Sequence, residues 1–421
     1  MLYLQLAQNH QRDYHGAMIP RVATQLIDRL ASQFPAVVIT GPRQSGKTTL
    51  VRSRFAEKPY LNLELPDMRQ RIIDDPRGTL YPLRAKGAVI DEAQRFPELN
   101  SWLQGIIDED PQAGLWILTG SNQPLLRQSA TQSLVGRAAF AKLLPFFTDE
   151  LAATSLFANA STDECLYRGW YPPLFDRPFI PSDWYAQYVA LYLERDLSQL
   201  INVKDMREFE KFLALCAGRT GQLLNLSELA RDVGISHTTA RGWLSILEQS
   251  FLAFELAPYS KNFQKRIIKS PKLYFYDCGL AAWLMGIREP RQIMTHPLRG
   301  ALFETMVVAD IIKRASAQGS DARFSFWNAP SVGEIDLIIE EGAAITAIEI
   351  ERGTTFHPEM ANTLIKWATI AAEPIPQRIL VYDGEETFQF KGIEVVPWRI
   401  VGRDERHGRD GRHGRDNVSI G

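Results

Sequence analysis

The chain of 421 residues is 45% hydrophobic and 10% aromatic, enough to bury two or three separate cores and too apolar for wholesale disorder. Its 47 Lys and Arg stand against 49 Asp and Glu, a net charge of −2, which excludes a polybasic binder and confines any nucleic-acid surface to a local patch. Cys165, Cys216 and Cys278 are too scattered for a disulfide framework, no cysteine or histidine falls at zinc-ligand spacing, and no run approaches the ~20 apolar residues of a membrane span.

Residues 1–17 lack both a convincing period and the apolar core of a signal peptide, so a cytoplasmic location and no membrane partner are expected. Met18 opens a cleaner pattern, read equally as the true start or as the end of a disordered N-terminal extension. Val22, Leu26, Leu30 and Phe34 recur every four positions, one face of a helix. Strand candidates Ala36–Thr40, Tyr60–Leu65, Ala88–Asp91, Leu115–Thr119 and Ala139–Pro145 then alternate with helical stretches. That alternation predicts a parallel sheet covered on both faces over residues 18–150. Residues 151–218 read as a helical lid or connector, 219–290 as a helix–turn–helix with a basic two-stranded wing, and 291–400 as mixed α and β. The expected class is therefore a multidomain α/β protein. From 401 to 421 arginine falls at every third position between Arg403 and Arg415 among Gly, Asp and His, which reads as a disordered tail.

Gly41-Pro42-Arg43-Gln44-Ser45-Gly46-Lys47-Thr48 matches G-x-x-x-x-G-K-[ST] in full, with Thr49 adjoining, after a buried strand and at the opening of a helix. Glycines let the backbone wrap so that successive N–H groups face phosphate oxygens, and the helix N-terminus adds positive charge. Lys47 is expected to reach the β- and γ-phosphates of ATP, and Thr48 to hold Mg2+. Ala88-Val89-Ile90-Asp91-Glu92 is an apolar strand ending in two carboxylates. Asp91, on a neighbouring strand, is expected to hold the magnesium through water, and Glu92 to orient or deprotonate the attacking water. Ser121 and Asn122, closing the strand of Trp116, either sense the γ-phosphate or form an ordinary turn. Arg137 either makes a surface salt bridge or delivers charge to a γ-phosphate, its own or that of a neighbouring subunit in a homo-oligomer.

With these motifs in order, the chain resembles a bacterial and archaeal family of AAA-type P-loop ATPases. Its members carry a winged-helix region and a C-terminal domain of unknown function with a restriction-endonuclease-like pattern. The resemblance rests on Ile19-Pro20-Arg21, Gly41 to Thr48, Ile90 to Ala93, Leu118 to Ser121, Ser133 to Arg137, Leu193 to Asp196, Ser270-Pro271-Lys272, Phe303-Glu304 and Gly333-Glu334-Ile335-Asp336. It implies ATP and Mg2+ as ligands and ATP hydrolysis as the reaction.

Ser227 is expected to cap a first helix, Val233-Gly234-Ile235 to turn the chain, and Ser236 to cap a second helix with Ala240, Leu244 and Leu247 inward. His237, Thr238, Arg241 and Ser245 then lie outside. Lys261, Lys265, Arg266, Lys269 and Lys272 follow with no acidic residue between Pro258 and Tyr276. Arg241, Lys265, Arg266 and Lys269 are the candidate contacts to duplex DNA, against the alternative of an edge strand protected by charge. In the C-terminal region Glu304, Asp336 and Glu349 match the nuclease-like pattern, but Glu351 occupies the position of its lysine. A further carboxylate there repels a phosphate, so a degenerate nuclease-like site is expected. The leading expectation is an ATP-driven conformational switch. The alternatives are a DNA-binding regulator and an ATP-dependent DNA-processing nuclease, the last disfavoured because of Glu351.

Overall fold

The computed structural model describes residues 18–121, 134–192, 206–259, 270–329, 333–370 and 377–401. The N-terminal extension, the C-terminal tail and the wing positions Lys265, Arg266 and Lys269 lie outside them, as does Asn122. Helix α1 (Ala23–Ala31) and helix α2 (Lys47–Arg54) flank a five-stranded parallel sheet. Its strands are β1 (Ala36–Thr40), β2 (Tyr60–Asn62), β3 (Ala88–Asp91), β4 (Trp116–Gly120) and β5 (Ala138–Lys142), in the order β2-β3-β4-β1-β5. Alternate residues point to opposite faces, so Val37, Ile39, Val89 and Ile117 pack under Leu26, Ile27, Leu50 and Val51. Val38, Ile90 and Leu118 pack instead against Leu103 and Ile107 of helix α4 (Leu99–Glu109) on the other side; helix α3 (Pro66–Asp74) precedes it. The sheet is covered on both faces.

Strand β2 stops three residues short of the expected Leu65. Asn62 Oδ1 accepts from Glu64 N at 2.9 Å, closing a turn, and Pro66 then starts α3. A second difference is topological: β4 stands between β1 and β3, so Asp91 is not on the strand next to the phosphate loop.

Beyond residue 145, helix α5 (Thr162–Arg168), α6 (Pro181–Tyr192) and α7 (Met206–Ala217) lead into the helix–turn–helix. Its helices are α8 (Leu226–Val233) and α9 (His237–Gln249). Gly234 at φ +94° takes the left-handed turn, and Ser236 accepts from Thr239 N as expected. The first cap, however, is Asn225, whose side chain accepts from Glu228 N at 3.2 Å; Ser227 lies inside α8.

The strands that follow do not close on themselves. β6 (Gln222–Leu223), β7 (Ala253–Pro258) and β8 (Lys272–Phe275) join β9 (Arg323–Ala329), β10 (Gly333–Glu341), β11 (Ala344–Glu351), β12 (Gln377–Tyr382), β13 (Phe388–Phe390) and β14 (Ile393–Pro397) in one nine-stranded sheet. The join is β7 beside β9, with Ala257 opposite Ser325 and Pro258 opposite Phe326. Helix α10 (Cys278–Leu284) and the long helix α11 (Arg299–Gln318) pack beneath it, and helix α12 (Asn362–Ile370) lies further along. One buried cluster runs from Phe146 to Val401, so the expected boundary at 290/291 is crossed by both a sheet and a core.

Candidate functional site

The turn from β1 into α2 is shaped by close approach. A Cβ on Gly41 would stand 2.1 Å from the carbonyl oxygen of Leu143, so glycine alone fits there. Gln44 at φ +60° and Gly46 at φ +92° wrap the loop. Lys47 is buried and donates to the carbonyls of Gly41 and Pro42 at 2.9 and 2.7 Å. Its ammonium is held over the loop's own oxygens. Ser45 Oγ is buried without a partner, an orphan acceptor and donor inside the cradle.

Asp91 gathers hydroxyls. Its Oδ2 accepts from Thr48 Oγ1 at 2.8 Å and from Tyr60 at 2.6 Å; its Oδ1 accepts from Thr119 Oγ1. The interposed strand β4 thus contributes Thr119, and β2 contributes Tyr60. Neither was expected to reach the site from sequence; the only available signal was a polar residue at the end of an apolar strand. Burial, then Asp91, pushes the Tyr60 phenol above its ordinary range. Glu92 sits in the left-handed region at φ +56°, and its Oε2 accepts from Gln94 Nε2 and from Ser121 Oγ at 3.4 Å. Ser121 therefore touches the residue expected to activate water.

Arg21 was singled out only within a family-like tripeptide, and it turns out to brace the loop. Nη1 donates to Ser45 O at 2.7 Å, Nη2 to Leu144 O at 2.6 Å, and Nε to Glu150 at 3.0 Å, with the guanidinium over Phe146. Arg137 belongs elsewhere. It lies at the start of β5, whose other end, Lys142, pairs with Thr40 beside the loop, so about five residues at ~3.3 Å each separate it from its own phosphate cradle. There it forms the expected salt bridge, to Asp108 at 2.5 and 2.9 Å. Delivery to the γ-phosphate of its own subunit is excluded by that geometry.

The helix–turn–helix departs from the expected basic face. Arg241 donates to Glu255 of β7 at 2.7 Å, so its charge is already countered by the wing. Lys272, counted with the basic stretch, is buried and points inward. Its Nζ lies 2.9 Å from Glu304, in contact with Glu334 and 3.6 Å from Asp336. Burial lowers its pKa, but Glu304, Asp336 and Glu334 together hold it above the ordinary lysine value. The ammonium that Glu351 denies to its own strand thus arrives from β8, the strand of the wing.

Residues 33–152 match the AAA domain family, 159–291 a domain of unknown function (DUF8612) and 299–401 another (DUF4143). An uncharacterized protein of Mycobacterium tuberculosis (strain ATCC 25618 / H37Rv) is 29% identical over 372 residues, 87% of this chain and 81% of the relative. An uncharacterized protein of Mycobacterium bovis (strain ATCC BAA-935 / AF2122/97) matches with the same figures. Among solved structures, a Walker-type ATPase of Pyrococcus abyssi matches with a TM-score of 0.41 and 15% identity, covering 62% of this chain and 94% of that one.

Proposed function

Since residues 33–152 match the AAA domain family, we propose that the chain is an AAA-type P-loop ATPase in which ATP binding and hydrolysis act as a conformational switch on the C-terminal body. The observation that carries this is Arg21, which joins the phosphate loop at Ser45 O to Leu144 O and Glu150, where the chain leaves the ATPase domain. Helix α11 grips the same stretch: Asp310 accepts from Thr148 N and Oγ1 at 2.8 Å each, and Lys313 donates to Phe146 O at 2.7 Å. A loop that repacks around phosphates must move or load these contacts.

Gly41 to Thr49 would hold ATP, with Lys47 exchanging its two carbonyl partners for phosphate oxygens. Thr48 and Asp91 would hold Mg2+, which supplies charge neutralisation on the phosphates. Glu92 turns from Gln94 and Ser121 toward water and accepts its proton as the oxygen attacks. The test is hydrogen exchange over residues 143–150 and 299–318 with a non-hydrolysable ATP analogue or ADP. Exchange should differ between the two nucleotides in the parent and converge in Arg21→Ala. Equal exchange in the parent would refute the switch.

A second reading, the DNA-processing nuclease, is supported by Lys272, which supplies the cation whose absence disfavoured it. Plasmid nicking with Mn2+ that vanishes in Lys272→Met would support it; an intact plasmid would refute it. The regulator reading loses support with Arg241 paired to Glu255.

A further inference from the structure

Among the described residues, Asp91 meets a full set of donors. Its Oδ2 accepts from Thr48 Oγ1 at 2.8 Å and from the Tyr60 hydroxyl at 2.6 Å. Its Oδ1 accepts from Thr119 Oγ1 and from Glu92 N at 3.2 Å. An ionised carboxylate offers about four lone-pair sites, and these donors fill them. Thr48 and Asp91 present a hydroxyl and a carboxylate oxygen, hard donors of the kind that suit magnesium. A water held on that ion, however, needs an Asp91 lone pair as its acceptor, so one donor has to leave.

The surroundings identify that donor. Thr48 can stay, because a hydroxyl that gives its proton to Asp91 keeps lone pairs for the ion. Thr119 is fully buried near the end of β4, and the Glu92 amide is fixed in the backbone at a left-handed turn. Tyr60 differs from both. It opens β2, a strand of three residues at the edge of the sheet, and it is half-buried, so water can replace Asp91 as the partner of its hydroxyl. Its ring packs against the core beneath α2 and carries the Arg52 guanidinium 5.2 Å from its centre. Those contacts do not involve the hydroxyl.

From this we propose that Tyr60 is a magnesium-responsive latch on Asp91. Its hydroxyl caps the lone pair that a magnesium-bound water needs, and releases it when the ion arrives with ATP. The inference rests on the ATP reading above and adds a regulatory residue to that site. Nucleotide without magnesium meets the phosphate loop and leaves Tyr60 on Asp91, so β2 stays anchored to β3 through this side chain. Nucleotide with magnesium displaces the hydroxyl and frees it. Tyr60 therefore lowers the apparent affinity for the ion. The bond it gives up is charge-assisted, but water offsets most of its loss, so deleting the hydroxyl should tighten Mg2+ by about fivefold.

The experiment measures binding of a fluorescent, non-hydrolysable ATP analogue to the full chain, first in EDTA and then across a Mg2+ titration. Tyr60→Phe keeps the ring and removes only the hydroxyl, so a role in packing alone would leave both curves unchanged. The latch predicts equal analogue affinity in EDTA and a Mg2+ half-saturation about fivefold lower in Tyr60→Phe. Fluorine NMR of protein labelled with 3-fluorotyrosine gives a second reading. The Tyr60 line, identified by its loss in Tyr60→Phe, should shift with analogue plus Mg2+ and stay in place with analogue in EDTA. An unchanged or higher half-saturation in Tyr60→Phe overturns the latch, as does an EDTA affinity that already differs or a Tyr60 line that ignores Mg2+. A parent that binds the analogue with no dependence on Mg2+ refutes the latch and leaves ATP binding standing. A parent that binds no analogue refutes the ATP reading itself, and the latch with it.

Discussion

Lys47 donates to the carbonyls of Gly41 and Pro42, so the loop holds its ammonium over the cradle. Replacing it with Ala removes the ammonium held over the cradle, and ATP binding measured by calorimetry should fall below detection. Glu92 differs in kind, because its carboxylate accepts from Gln94 and Ser121 and takes no part in the cradle. Glu92→Gln should keep ATP affinity within a few-fold and reduce hydrolysis by about 100-fold. A variant turning over at the parent rate would remove Glu92 from the mechanism. The loop, Asp91 and Glu92 were legible in sequence because each closes an apolar strand and is read locally. Tyr60, Thr119 and Arg21 were not, since each reaches the site across strands whose order periodicity does not encode.

Helix α10 shows how an element is held by a single acid. Asp277 accepts from Leu280 N at 2.8 Å as its cap, and also from Trp170 N at 2.7 Å and Tyr185 at 2.7 Å. Fully buried, it ties α10 to the segment after α5 and to α6. Asp277→Ala leaves the Trp170 and Leu280 amides unmet, while Tyr185 keeps Arg168 O as an acceptor, and should cost about 3 kcal/mol in urea unfolding. Burial holds the Asp277 carboxyl above the usual range, although hydrogen bonds from Tyr185, Trp170 and Leu280 oppose this. An acid with a raised folded pKa contributes its stability below its unfolded value and loses it as pH climbs through the folded one. The parent should therefore lose stability relative to Asp277→Asn as pH rises from about 4. A flat difference would show that the carboxyl ionises over the same pH range folded as unfolded. The helix–turn–helix was readable from its turn and second cap, while its charge pattern misled: Arg241 meets Glu255, and Lys272 turns inward.

Helix α11 is the spine of the whole molecule. Its Asp310, Lys313 and Arg314 hold Thr148, Phe146 and Asp149, and Ala317 packs with α1 against the ATPase sheet. Its other buried residues, from Leu302 to Ile311, belong to the large C-terminal core. Melting should therefore be a single transition. Asp310→Ala breaks a buried network at a cost of about 3–5 kcal/mol and should separate an ATPase transition from a C-terminal one in calorimetry. One unshifted transition in that variant would place the coupling elsewhere.

The chain by itself determined what is local: the phosphate loop, the alternation that makes a two-faced sheet, the two carboxylates closing β3, and the turn and second cap of the helix–turn–helix. These follow from short-range backbone preferences and apolar period, which neighbouring residues are enough to specify. Only the tertiary structure decided that β4 separates β1 from β3, that the wing and the C-terminal strands share a sheet, and that Lys272 meets Glu304, Glu334 and Asp336. Those outcomes depend on which strand edges pair and which face each side chain takes. The energies that set them come from burial between segments up to about a hundred residues apart, and no local pattern carries that information.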